Sequence, residues 1–170
     1  ATASGAVIRY WDIAKSQEIA TKWYKNSPNA IWSIRYGIHR TTKTGYFSEM
    51  DEDATDQKIN KIQQDGSFKI VTSSLDKKLL ALASKEGIVT VWMTATGKKV
   101  ATMSHKKPVL SIAFSPDGKS LATTSADRNA RVWNIATEKE IAKMQHEHQV
   151  KTVDFCPDGI HLAIGSSDTL

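Results

Sequence analysis

The sequence predicts an all-β fold assembled from repeated four-stranded antiparallel units. Three observations carry this: residues recur at a spacing of 41, each unit divides into four short β-like runs, and turn residues separate the runs. Residues 68–103 lie over residues 109–144 without a gap. Leu80-Ala81 falls on Leu121-Ala122, Ser84 on Ser125, Trp92 on Trp133, Val100-Ala101 on Ile141-Ala142 and Met103 on Met144. The same shift carries Val109 to Gly118 onto Val150 to Gly159, His105 onto His146 and Asp127 onto Asp168. In the other direction Trp11 precedes Trp92 by 81 residues, close to two periods.

The clearest unit shows how each element arises. Val109 to Phe114 is an apolar run closed by Ser115-Pro116-Asp117-Gly118, where proline presets φ and glycine accepts a positive one. Leu121 to Ser125 forms the second run, after which Ala126-Asp127-Arg128-Asn129 turns the chain. Ala130 to Ile135 alternates in side-chain character as a half-buried strand does, and Glu140 to Met144 closes the unit. Four strands in every ~40 residues is the spacing of a propeller blade.

These residues resemble those of the WD-repeat propeller family. Ile8-Arg9-Tyr10-Trp11-Asp12 carries the Trp-Asp pair, and Val89 to Met93 and Ala130 to Asn134 look like the same strand with the Asp replaced. The family's Gly-His ahead of the first strand is represented by Ser104-His105 and Gln145-His146, which keep the His alone. Phe114-Ser115-Pro116-Asp117-Gly118 and Phe155-Cys156-Pro157-Asp158-Gly159 look like its first turn. The resemblance implies a structural network inside the blade, with His105, Ser125, Asp127 and Trp133 as the matching set. In the preceding unit Ser84 and Trp92 match, but Glu86 stands where Asp is expected. A His, Asp and Ser together also superficially suggest a hydrolase triad. The repeated strand frame favours the structural reading, because its demand is the satisfaction of buried polar groups.

The repeat divides the chain into a partial blade at 1–25, an irregular unit at 26–67, blades at 68–108 and 109–149, and the first strands of a further blade at 150–170. About four blades are then present, which the resemblance makes part of a larger ring or of an array completed by another copy. The irregular unit replaces the expected Trp strand with the acidic run Glu49 to Asp53, and 37–56 suits an exposed loop.

The formal net charge is +5. Lys77, Lys78, Lys98, Lys99 and Lys119 fall in turns of one face, whereas Lys85, Lys106, Lys107 and Arg128 belong to the opposite face. Positive charge divided in this way argues against one nucleic-acid groove, and the acidic run would repel a phosphate backbone. The second group, with the aromatics Trp23, Tyr24 and Trp32, is a candidate partner-binding set, although turn lysines also serve solvation and aromatics core packing. His146 and His148 flank Glu147, but His146 already belongs to the repeat, so no metal or other cofactor is expected. One cysteine, Cys156, excludes an internal disulfide. There is neither an apolar run long enough to cross a bilayer nor a leader-like start, so an intracellular location, cytoplasm or nucleus, is expected. The resemblance implies a non-catalytic scaffold for other proteins within a complex. A basic surface for nucleic acid or anionic lipid is the alternative.

Overall fold

The computed structural model describes residues 5–25 and 68–166. Its twelve described strands are β1 (Gly5–Asp12), β2 (Gln17–Lys25), β3 (Phe68–Ser73), β4 (Leu79–Ser84), β5 (Ile88–Met93), β6 (Lys98–Ser104), β7 (Val109–Phe114), β8 (Ser120–Ser125), β9 (Asn129–Asn134), β10 (Lys139–Gln145), β11 (Val150–Phe155) and β12 (His161–Ser166). They form three antiparallel four-stranded sheets in the orders β3-β4-β5-β6, β7-β8-β9-β10 and β11-β12-β1-β2.

The third sheet revises the division expected from the repeat. Residues 1–25 and 150–170 were counted there as two partial blades, yet β1 pairs with β12 along Val7↔Ser166 to Asp12↔His161, and β1 with β2. The two parts are halves of one blade. The reason is phase: β12 is a second strand and β1 a third strand, so each exposes the edge the other lacks. The irregular unit 26–67 lies outside the described residues.

Repetition extends to the irregularities. In each sheet the fourth strand carries a bulge at the same position, placing Ile19, Val100 and Ile141 opposite a break in register. The turn between third and fourth strands reaches positive φ at Ser16, Gly97 and Glu138. Asp12 and Asn134 shape two of these turns, each accepting at its Oδ1 the N–H of the residue three positions on, at 3.0 Å. The residue after the tryptophan therefore has a local task here.

Each sheet is about one residue thick, so its core lies between blades. Ala81, Ala83, Val89, Val91, Ala101 and Met103 of the β3–β6 blade meet Val109, Ile112, Leu121, Trp133 and Ile135 of the next. On the other side of that blade Ala122, Ala130, Val132 and Met144 meet Val150, Val153, Phe155, Leu162 and Ile164. Alternate side chains of β8 thus enter different cores, which explains why Leu121 to Ser125 are buried without interruption. No blade could bury both faces alone.

Connections alternate between two faces. β3–β4, β5–β6, β7–β8 and β11–β12 turn on one face, whereas β4–β5, β6–β7, β8–β9 and β10–β11 turn on the other. On the first, Ser74 Oγ donates to Asp76 Oδ1 at 2.7 Å and Ser115 Oγ to Asp117 Oδ1 at 2.6 Å. Cys156 occupies the serine's place in the third turn, and Asp158 instead meets the His161 ring, with Nδ1 2.6 Å from its Oδ2.

Candidate functional site

His105 sits at the seam between the first two blades. Its backbone N–H donates to Gly87 O at 2.8 Å, while its ring enters the blade formed by β7 to β10. There Nε2 lies 2.7 Å from Thr123 Oγ1, and Trp133 Nε1 donates to the same hydroxyl oxygen at 2.8 Å. On the ring's other side an Arg131 nitrogen faces His105 Nδ1, and the same nitrogen donates to Asp127 Oδ2 at 2.8 Å. Arg131 Nε also pairs with Glu140 at 3.0 Å.

The protonation pattern follows from these partners. A guanidinium has donors and no lone pair, so His105 Nδ1 must accept and the ring proton resides on Nε2. Thr123 Oγ1 then receives two N–H donors. Burial, reinforced by the charge of Arg131 and opposed by Asp127, pushes the His105 pKa down to about 4 from its ordinary 6.5. For Asp127, burial opposes ionisation, but Arg131 and Asn129 outweigh it and hold the carboxyl below the usual range.

The four residues predicted as a network are divided differently. His105 and Trp133 meet at Thr123, and Asp127 joins through Arg131. Ser125 does not reach the imidazole: its hydroxyl donates to Lys107 O at 3.0 Å and accepts the Asp127 N–H at 3.1 Å. Ser125 shapes the turn that carries Asp127. No nucleophile–base contact of the hydrolase kind forms, since Nδ1 is occupied by a cation and Nε2 donates to a threonine.

Thr123 and Arg131 were the residues that the pattern missed. A signal for Arg131 was present: Arg9 and Arg131 each stand two before a Trp and nine before a Glu. Arg9 repeats the arrangement, pairing Nε with Glu18 at 3.3 Å and approaching His146 Nδ1 at 3.3 Å, while the Trp11 and His146 rings meet edge to face. Ile164, however, holds the place of Thr123, facing Arg9 as Thr123 faces Arg131. Among the described residues the buried Trp11 Nε1 has no hydrogen-bond acceptor. The first blade solves the same problem another way: Leu82 fills the Thr123 place and Trp92 Nε1 donates to Thr90 on its own strand at 2.9 Å.

Two outcomes follow. A buried base with a lowered pKa binds its proton more readily when unfolded, so the stability it confers is complete above pH 6.5 and declines as pH falls toward 4. The span from 6.5 to about 4 corresponds to about 3 kcal/mol. Urea titrations across this range should show that decline, and His105→Gln should flatten it. At position 164, Ile164→Thr should be about 1 kcal/mol more stable than the near-isosteric Ile164→Val, because only the threonine gives Trp11 an acceptor. Leu82→Thr against Leu82→Val should show the opposite order in thermal melts, since Trp92 is already satisfied.

Lys85, Lys106, Lys107 and Arg128 are exposed, and all lie in the β4–β5, β6–β7 and β8–β9 connections of one face. Trp23 and Tyr24 fall in β2, with backbone partners Val7 and Ala6. Trp32 lies outside the described residues. No helix among those residues is long and apolar enough to cross a membrane.

Comparison with known proteins agrees with this geometry. Residues 97–134 and 138–170 each match the family described as WD domain, G-beta repeat. The β-propeller domain of Cps50 (Swd1) from Myceliophteria thermophila has a similar fold, with a TM-score of 0.51 and 18% identity over 54% of this chain and 30% of that one. This chain thus spans less than a third of the length of that domain. No curated protein sequence matches it. A blade with His ahead of its first strand and Trp on its third, repeated and stacked, defines a propeller of WD repeats. Residues 97–134 and 138–170 of the chain are WD repeats, and its described blades have the β-propeller fold.

Proposed function

We propose that the chain is a non-catalytic protein-interaction platform that presents turns of its propeller to other proteins within a larger intracellular complex. One observation carries this reading most: the residues with chemical potential are consumed internally. His105, Asp127, Arg131 and Thr123 satisfy one another within the β7–β10 blade, and the rigid frame they brace offers solvent mainly its turns. Loops held by such a frame suit recognition, because little conformational entropy remains to be lost on binding.

The face carrying Lys85, Lys106, Lys107 and Arg128 is the proposed contact surface. Cross-linking mass spectrometry on the tagged chain in its native cells tests this. Amine cross-links to other proteins should concentrate on Lys85, Lys106 and Lys107. A concentration on Lys77, Lys78 and Lys119 would place the contact on the opposite face, and the absence of any protein partner would overturn the platform reading.

A further inference from the structure

We propose that the seam between the β3–β6 and β7–β10 blades is a docking site for an acidic protein segment, held by Lys85, Lys106, Lys107 and Arg128. The inference rests on the platform reading and names its partner's chemistry. Three connections meet at this seam through short contacts. The His105 N–H donates to Gly87 O, the Ala126 N–H donates to Pro108 O at 3.0 Å, and Ser125 Oγ donates to Lys107 O. The approach is so close that a Cβ on Gly87 would lie 2.6 Å from His105 O and 2.7 Å from Lys107 O. Four cations from three connections are therefore anchored on one rigid junction.

Their charge is not absorbed by the protein. Among the described residues none of the four forms an ion pair, whereas on the opposite face Lys78 pairs with Asp76 at 3.4 Å and Lys15 with Asp12 at 3.5 Å. The buried acid Asp127, next to Arg128 in the same connection, is already bound by Arg131. Internal repetition sharpens the point. One period on, at the next seam, Lys85 becomes Ala126, and Lys106-Lys107 becomes Glu147-His148. The positive charge is thus a property of one seam and not of the repeat.

Arg128 adopts φ +69° at the place where the preceding blade has Gly87 at φ +89°, and Lys77 on the opposite face shares the conformation at φ +60°. Glu86 within the patch, together with exposed Pro108 and Ile88 beside it, suits a peptide whose acids alternate with apolar residues. A continuous phosphate array would meet Glu86 unfavourably.

Fluorescence anisotropy with a labelled synthetic peptide of alternating Glu and Leu tests the assignment, against the same peptide with Gln for Glu, a short DNA duplex and phosphatidylserine vesicles. The acidic peptide should bind with an affinity that falls as salt rises. Lys106→Glu with Lys107→Glu should weaken it roughly tenfold or more, and Lys119→Glu on the far face should not. Arg128→Gly should weaken binding while raising the melting temperature, a combination that a purely structural role would not give. Equal binding by all variants, or equal loss with Lys119→Glu, overturns the proposal. Tighter binding of duplex or vesicles, lost in the same variants, also overturns it in favour of those ligands. If the peptide fails while cross-links still map to Lys106 and Lys107, this inference falls and the platform reading stands.

Discussion

Replacing Thr123 with Val is expected to lower stability by about 4 kcal/mol, far more than the loss of one surface hydroxyl would suggest. The hydroxyl oxygen lies 2.7 Å from His105 Nε2 and 2.8 Å from Trp133 Nε1, with the side chain fully buried. Arg131 at the other ring nitrogen prevents the imidazole from exchanging its donor for an acceptor. Valine fills almost the same volume, so both N–H groups are left in an apolar pocket that the new methyl does not open to water. Each orphaned donor costs about 1–3 kcal/mol, and the two together give the expected total. Thr123→Ser keeps the oxygen and should recover most of the loss. Urea denaturation of the three proteins reads the difference directly, and a valine variant within about 1 kcal/mol of the parent would mean that the shared acceptor contributes little.

Gly87→Ala should be comparably severe for a different reason. The new Cβ would meet two backbone carbonyl oxygens, at 2.6 and 2.7 Å, and the residue would have to hold φ at +89°. Neither carbonyl belongs to a flexible side chain that could swing aside. Left-handed strain of about 1–2 kcal/mol and overpacking of about 1–3 kcal/mol place the expected loss at about 4 kcal/mol. Gly97→Ala is the internal comparison. That residue also has positive φ, +66°, but nothing lies within 4 Å of an added Cβ. Its cost should be about 1–2 kcal/mol, from backbone preference alone. Thermal melts that show the two substitutions to be equally mild would contradict the tight seam on which the cationic connections depend.

Much of the fold was legible because propeller blades write their geometry into local sequence. The turn Ser115 to Gly118 and the alternation of Ala130 to Asn134 need only near neighbours to be recognised, and β7 to β10 fall within a residue or so of where those runs end. The network was legible only in outline. Ser125 and Thr123 lie on the same side of β8, two residues apart, and either hydroxyl suits the role by residue type; the depth of the His105 ring in the blade selects Thr123. Arg131 was hidden because an arginine on a strand ordinarily reads as exposed, and its burial is explained only once Asp127 and Glu140 are seen on either side. Pairing of β1 with β12 could not be read from spacing alone. Periodicity reports phase, and two complementary half-blades have the same phase whether they join each other, a further segment or a second copy.

That shared blade packs against the β7–β10 blade and joins the two ends of the described chain, so the most direct test is a cross-link across it. Tyr10 and Ala163 are register partners in β1 and β12, and antiparallel partners approach closely enough for a disulfide. In a Cys156→Ser background, Tyr10→Cys with Ala163→Cys should oxidise to a bridge within one chain, leaving the mass in solution unchanged by oxidation. Covalent dimers, or thiols that remain reduced in the folded protein, would show that β1 does not complete the blade begun by β11 and β12 of its own chain.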